Sequence, residues 1–229
     1  MPRLVFLALL LALAGCAGRP AEPPPQRFVR IDWLGNQCYR ITSSIGTSIL
    51  TNPFENGTGG RKLPSPLKTD IVLVTSEKPE FNNINAIENQ PAILRGGVGI
   101  GLTSVTGIPI RGVPTYRNPD LPSSDGMNLA YTWTMDGIRF CFAGSVERPF
   151  AADQLQQIGA VDILFLSPDG LSAANCDALI GQLRPKLLVP MGRKGRSWTV
   201  GEVYRKDAPR ISFSREMLPA RTGTLLLAP

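Results

Sequence analysis

The sequence predicts a mixed α/β domain, and three features of its 229 residues indicate this class. First, short runs of apolar and β-branched residues recur between turn residues, which is typical of β-strands. Second, two stretches after residue 150 have the pattern of amphipathic helices. Third, 21 prolines and 23 glycines predict many turns, which favours short strands with irregular connections over a helical bundle.

Length and composition fit one large domain. A chain of this size can bury a substantial core, and 43% hydrophobic with 18% charged residues argues against disorder. The net charge is +6, but the lysines and arginines are dispersed, and the longest basic block is 193–196. We therefore expect a solvated basic surface and no nucleic-acid partner.

The N-terminal residues carry targeting signals. Residues 1–15 combine Arg3 with an apolar run, Leu4–Ala14, that is too short to span a bilayer comfortably, as in a signal peptide. The end of this run, Leu13-Ala14-Gly15-Cys16, resembles a bacterial lipobox, in which the cysteine is lipidated. We expect Cys16 to anchor the protein to the membrane of a bacterial cell envelope.

Residues 16–27, after the signal peptide, form the lipidated cysteine and a proline-rich tether. Such a segment is a semi-rigid, extended spacer that holds the domain off the membrane surface. The alanine that follows Cys16 resembles the sorting pattern of outer-membrane lipoproteins. It predicts an outer-membrane location facing the periplasm, with residues 28–229 as the domain.

Three strands are predicted at the start of the domain. Phe28–Gly35 alternates like a half-exposed strand, and Cys38–Thr42 and Thr47–Thr51 follow it as a β-meander. The next strand is a buried one, because Ile71–Val74 is an uninterrupted apolar run that leads into a polar loop. Weakly helical residues 84–89 come next.

The glycine-rich segment 96–101 lies between strands predicted at 92–94 and 99–106. It lacks a following helix and an acidic residue about 20 positions on, so it favours a turn over a nucleotide-binding loop. Another strand is predicted at 108–114. A hairpin is predicted across Asp136-Gly137, which joins 129–135 to 138–143.

Two helices and a buried strand are predicted in the second half. The helices are 151–158 and 172–183, the second capped by Ser172. The buried strand is 161–167, and 186–192 follows as a closing strand. Core packing with a solvated face explains the tail, residues 196–229, and a partner-docking segment is the alternative.

Six landmarks occur along the chain: Trp33-Leu34-Gly35, Asn52-Pro53, Asp70–Thr75, Gly144, Asp162–Leu166 and Arg184–Met191. They fall in the order found in metallo-β-lactamase-fold hydrolases. From about Ile31 to Gly192 the chain resembles this superfamily, most of all its small ascorbate-lactonase-like branch. The resemblance implies an αββα sandwich, in which two mixed β-sheets pack face to face with helices outside.

The family's metal ligands are replaced in this sequence, which contains no histidine. In the family, histidines and aspartates hold one or two zinc ions. The corresponding positions here are Asn36, Ser76, Lys78, Glu80, Phe81, Ser145 and Gly192. A hydroxyl at the position of the bridging aspartate is a poor ligand for a divalent ion, and Lys78 adds a repelling cation.

The resemblance therefore implies a degenerate member of the superfamily. We expect no metal, no other cofactor and no catalytic residue, because metal supplies the activated water in this family. The protein is then a pseudoenzyme, a binding or assembly module in the envelope with the membrane and an envelope protein as partners.

The alternative is a divergent lactone or phosphodiester hydrolase with a rebuilt site. Ser76 beside Lys78 could act as a nucleophile pair, with Glu77, Glu80 and Asp169 as acid–base groups. A simpler interpretation is that Lys78 forms an ion pair with Glu77 or Glu80 on an exposed loop. A Ca²⁺ or Mg²⁺ site needs several converging oxygens, which the sequence does not locate.

Three cysteines remain once Cys16 is assigned to lipid: Cys38, Cys141 and Cys176. A disulfide is permitted outside the cytoplasm. Because Cys38 and Cys141 both fall on predicted strands, they are the predicted pair, which leaves Cys176 as a free thiol.

Overall fold

A computed structural model describes residues 26–116, 126–195 and 197–228, which form two mixed β-sheets packed face to face. The first sheet has the order β13-β1-β2-β3-β4-β5. Its strands are β1 (Val29–Gly35), β2 (Cys38–Thr42), β3 (Ser48–Thr51), β4 (Ile71–Leu73), β5 (Ala92–Leu94) and β13 (Arg210–Phe213). The pairs from β13 to β3 are antiparallel, and those from β3 to β5 are parallel.

The second sheet has eight strands in the order β12-β14-β11-β10-β9-β8-β7-β6. They are β6 (Gly101–Val105), β7 (Ile108–Tyr116), β8 (Met127–Met135), β9 (Ile138–Phe142), β10 (Ile163–Leu166), β11 (Leu187–Pro190), β12 (Glu202–Lys206) and β14 (Gly223–Leu227). Pairs among β6–β9 are antiparallel, and the pairs from β9 to β12 are parallel.

The helices are α1 (Ala152–Ile158), α2 (Ala173–Leu183) and the four-residue α3 (Gly192–Gly195). Short 3₁₀ turns occupy Thr58–Gly60, Ile84–Ala86, Gly96–Gly99 and Arg215–Met217. Ser172 caps α2, because its hydroxyl accepts the N–H of Asn175 at 3.2 Å. Within the described ranges, no helix is long and apolar enough to cross a membrane.

The main core lies between the two sheets. Alternate residues of each strand, such as Ile41 in β2 and Phe165 in β10, point into it and are fully buried. The hydroxyl of Tyr131 in β8 donates to the carbonyls of Val74 and Leu94 at 3.1 and 2.8 Å, which ties the sheets together. The predicted sandwich is therefore confirmed.

The outer faces of the two sheets are covered differently. Residues of α1 and α2, including Ile158 and Leu179, pack on the second sheet. Phe54 and Leu67, which come from a loop, cover part of the first sheet. In the part of the chain that the structure describes, loop residues and 3₁₀ turns take the place of helices on that side.

Local signals located most strands well. The predicted meander and the hairpin are present, with Asp136 and Gly137 at φ 48° and 77°, as a tight two-residue turn requires. The strand predicted at 99–106 begins later, at Gly101, because Gly96–Gly99 forms a 3₁₀ turn. The helical stretch predicted at 84–89 is limited to Ile84–Ala86.

The predicted disulfide between Cys38 and Cys141 is wrong, since both are free and buried, as is Cys176. Cys38 packs under the loop on the outer face of the first sheet. Cys141 faces α2 on the outer face of the second sheet, so the main core separates the two thiols. Cys16 and the signal peptide lie outside the described residues.

Candidate functional site

The loops that follow β1, β4, β9, β10 and β11 meet at one edge of the sandwich. They enclose a cleft of about 860 Å³. Six of the seven positions that correspond to family metal ligands line it: Asn36, Lys78, Glu80, Phe81, Ser145 and Gly192. The parallel strands β10 and β11 bring their carboxyl ends to this edge, which is where such sheets place their sites.

Ser76 is the seventh position, and it does not line the cleft. Its side chain is 5% exposed, and its hydroxyl has no hydrogen-bond partner among the described residues. A nucleophile pair would need a hydrogen bond between Ser76 and Lys78. That bond is not formed.

Gly192 has a left-handed backbone, with φ +77°. A Cβ at this position would overlap the carboxylate of Asp169 and approach the hydroxyl of Ser167 to 2.8 Å. Asp169 is held there because it accepts the backbone N–H groups of Arg193 and Lys194 at 2.8 and 3.0 Å. The carboxylate thus fills the space that a side chain at position 192 would enter.

Ser145 belongs to a network of neutral groups on the floor of the cleft. Its hydroxyl accepts a hydrogen bond from the Gln37 carboxamide at 3.3 Å, and its N–H donates to Asn128 Oδ1 at 2.9 Å. The Asn128 Nδ2 donates to Thr115 Oγ1 and to the Ala143 carbonyl at 2.7 and 2.8 Å. These buried polar groups satisfy one another without a metal ion.

Asn52 extends this network into the first sheet. Its side chain accepts the N–H of Thr75 at 2.9 Å and donates to the Thr75 hydroxyl at 3.0 Å. It also lies 3.5 Å from the Gln37 oxygen. Asn52 has a φ of 40°, which asparagine tolerates better than most residues. Sequence reasoning missed Gln37 and Asn128, because no local pattern marks a buried carboxamide.

The cleft carries more positive than negative side chains. Arg61, Lys78 and Arg193 line it, opposite Glu80 and Asp169. The guanidinium of Arg61 lies 4.5 Å from the centre of the Trp33 ring, a cation–π distance. Arg61 was also missed by sequence reasoning, since its glycine- and proline-rich loop has no periodic pattern.

Among the described residues, Lys78 forms neither of the ion pairs that the sequence favoured, with Glu77 or with Glu80. Glu77 instead pairs with Arg95 at 3.1 Å and accepts from Asn82 Nδ2 at 2.7 Å. Within the described ranges, neither Lys78 nor Arg61 has an ion-pair partner, although both are half-buried. Glu80 is exposed at the rim.

The residues of this cleft do not fit the metal ions that the fold family implies. Among residues 26–116, 126–195 and 197–228, no three His, Cys, Asp or Glu side chains are grouped so that they could hold a metal ion. A divalent cation would also meet the positive charge of Lys78. The Asp169 carboxylate, which lines the cleft, is already bonded to two backbone N–H groups.

The family model described as "Beta-lactamase superfamily domain" matches residues 30–192. The chain belongs to the beta-lactamase superfamily. A superfamily relative named UPF0173 metal-dependent hydrolase, from Thermococcus onnurineus, is 24% identical over 190 residues, which cover 72% of this chain and 84% of the relative.

Two solved structures are similar to this chain in fold. One, from Thermotoga maritima, is described as a Zn-dependent hydrolase of the metallo-β-lactamase superfamily; the match has a TM-score of 0.67 and 18% identity, and covers 87% of this chain and 98% of that one. Another, described as a metal-dependent hydrolase from Parabacteroides distasonis, has a TM-score of 0.55 and 20% identity, and covers 71% and 81%. They confirm the metallo-β-lactamase fold for this member.

Proposed function

We propose that this protein is a non-catalytic binding module that keeps the metallo-β-lactamase fold and has given up its metal chemistry. One observation carries the proposal: the Asp169 carboxylate occupies the space beside Gly192, where the family has a metal-binding histidine. A single substitution at position 192 could not restore that ligand, because the new side chain would meet Asp169 and Ser167.

The charges and the neutral network support the same conclusion. Hydrolases of this type need a metal ion that lowers the pKa of bound water to about 7. The chain has no histidine to hold one, and Lys78 and Arg61 supply positive charge in the cleft. The carboxamides of Gln37 and Asn128 form the hydrogen bonds at the floor of the cleft, and neither group is ionised.

We propose further that the module is a lipoprotein. The lipobox-like Leu13-Ala14-Gly15-Cys16 and the proline-rich tether would hold the domain at the surface of the envelope membrane, on the periplasmic side of the outer membrane. A protein partner in the envelope would then complete its function. Recovery of the same envelope protein in repeated mild detergent purifications would support this part, and its consistent absence would count against it.

Hydrolysis assays test the non-catalytic role. The full chain is incubated with lactones and phosphodiesters, with and without added Zn²⁺ or Mn²⁺, and no turnover above buffer is expected. Turnover would instead support the divergent hydrolase, which is compatible with family membership. In that case, loss of the activity in Lys78→Gln, but not in the exposed neighbour Lys62→Gln, would place the chemistry in the cleft.

A further inference from the structure

We propose that the cleft binds a ligand through an oxyanion, either a phosphoryl or a carboxylate group, that contacts Arg61 and Lys78. This inference rests on the proposed binding role and names the chemical class of its ligand. Both side chains line the same cleft of about 860 Å³, and both are half-buried. A phosphoryl or carboxylate oxygen is the natural partner for such cations.

Neither cation has an ion-pair partner within the described residues. Glu77, which precedes Lys78 in the sequence, forms its ion pair with Arg95. Asp169 faces backbone N–H groups rather than these side chains. Burial removes part of the water around a cation, so an anionic ligand would regain interactions that the free protein lacks.

Arg61 is held in place before any ligand arrives. Its guanidinium stacks on Trp33, whose indole N–H donates to the Asn36 carbonyl at 3.1 Å. The stem of Arg61 lies over Gly35, where an added Cβ would come within 2.6 Å of its Cδ. Positioning of this kind reduces the entropy lost when the side chain binds a ligand.

The cleft also has room for more than one oxyanion. A smaller cavity of about 250 Å³ adjoins it and shares Trp33, Asn36 and Gly192 as lining residues. Arg205 and Lys206 also line this smaller cavity. A ligand whose anionic group contacts Arg61 and Lys78 could therefore extend along Trp33 and Asn36 into the smaller cavity.

Calorimetric titration of the full chain in detergent tests the proposal with two probes, inorganic phosphate and citrate, at constant ionic strength. Binding of phosphate alone identifies a phosphoryl group, binding of citrate alone identifies a carboxylate, and either supports the shared chemistry. Arg61→Gln and Lys78→Gln are each expected to weaken binding about tenfold, as loss of one charge-assisted contact should. The control Lys62→Gln removes the same charge from an exposed neighbour outside the cleft and should leave affinity unchanged.

Absence of saturable binding for both probes would overturn the inference. So would wild-type affinity in both Arg61→Gln and Lys78→Gln, or an equal loss in Lys62→Gln. Circular dichroism checks that each variant is folded, and Lys78→Arg, which keeps the charge, should retain binding. A metal-free protein that binds neither probe contradicts only this inference, whereas bound zinc with hydrolysis contradicts the proposed function itself.

Discussion

Charged side chains at the two ends of the strands in the second sheet differ in whether they are paired. At the starts of β9 and β10, the Asp162 carboxylate is fully buried and paired. It accepts the Arg139 Nε, Nη2 and backbone N–H at 2.8, 3.0 and 3.0 Å, and Lys186 Nζ lies 3.7 Å away. This end is held by an ion pair whose hydrogen bonds are satisfied.

Among the residues that the structure describes, the floor of the cleft at the other end has no such pair. The buried groups there are the neutral carboxamides and hydroxyls around Ser145, and the cations Arg61 and Lys78 line the same cleft. Charges that stabilise the fold are neutralised within it, as at Asp162. Charges that remain without partners in a concave site are better explained by a ligand.

The largest effect is expected at the cleft, for Gly192→Ala. The variant should lose about 3 kcal/mol of unfolding free energy, because it combines left-handed backbone strain with displacement of a hydrogen-bonded carboxylate. Urea denaturation measures the loss. Gly107→Ala is the control, since Gly107 has φ +79° and open space around its Cβ position.

The control should lose only about 1 kcal/mol, the backbone part of the cost. Adding Asp169→Ala to Gly192→Ala should recover part of the difference, because the clash is then removed. Equal losses at Gly192 and Gly107, with no recovery in the double variant, would mean that Asp169 does not fill this space.

The opposite end is tested by Asp162→Asn. Loss of the buried charge should cost about 2 kcal/mol, less than for a fully enclosed pair, because Arg139 and Lys186 are partly exposed and can be rehydrated. Their side chains are 42% and 39% exposed. Asp177→Asn, on the exposed face of α2, should change stability by less than about 0.5 kcal/mol. A similar small change in both variants would show that the Asp162 pair contributes little.

The same carboxylate predicts a dependence on pH. Burial alone would raise the pKa of Asp162, but hydrogen bonds and positive charge from Arg139 and Lys186 outweigh it and hold that pKa below its usual range. The stability that the ion pair contributes is therefore present above about pH 4, the unfolded value, and is lost as the pH falls through the lower folded pKa. Urea midpoints measured from neutral pH downwards should fall more steeply for the wild type than for Asp162→Asn. Parallel curves would contradict this.

The smallest effect is expected from reducing agent, which should leave the melting temperature unchanged. Burial raises the pKa of the Cys141 thiol to about 12 and raises that of Cys38 further, so neither should react in the folded protein. A thiol reagent should count three thiols in unfolded chains whose Cys16 is lipidated. A count of one would show that Cys38 and Cys141 form a disulfide after all.

Sequence patterns predicted the parts of the fold that local chemistry determines. The buried run of β4 and the Asp136-Gly137 turn were clear because short-range sterics and polarity set them. The strands of the tail were missed, since β13 is defined by pairing with β1, about 180 residues earlier. Its charged and apolar residues, Arg210–Phe213, do not distinguish an edge strand from a solvated segment.

The site was predictable only in part, for a similar reason. The resemblance named the positions, and the structure brings six of them to one cleft. That Asp169 fills the space beside Gly192 depends on the left-handed backbone at Gly192 and on the N–H groups of α3, which no sequence pattern encodes. The unpaired state of Lys78 likewise depends on where Arg95 lies.

Zinc analysis tests the central claim most directly. The full chain, purified in detergent without chelator, is dialysed to equilibrium against buffer containing micromolar Zn²⁺ and then analysed by mass spectrometry for metal per chain. We predict no zinc above the level of the dialysis buffer. The cleft contains Lys78, which repels a cation, and Asp169, whose carboxylate already accepts backbone N–H groups. One or two zinc ions per chain that survive further dialysis would contradict the account.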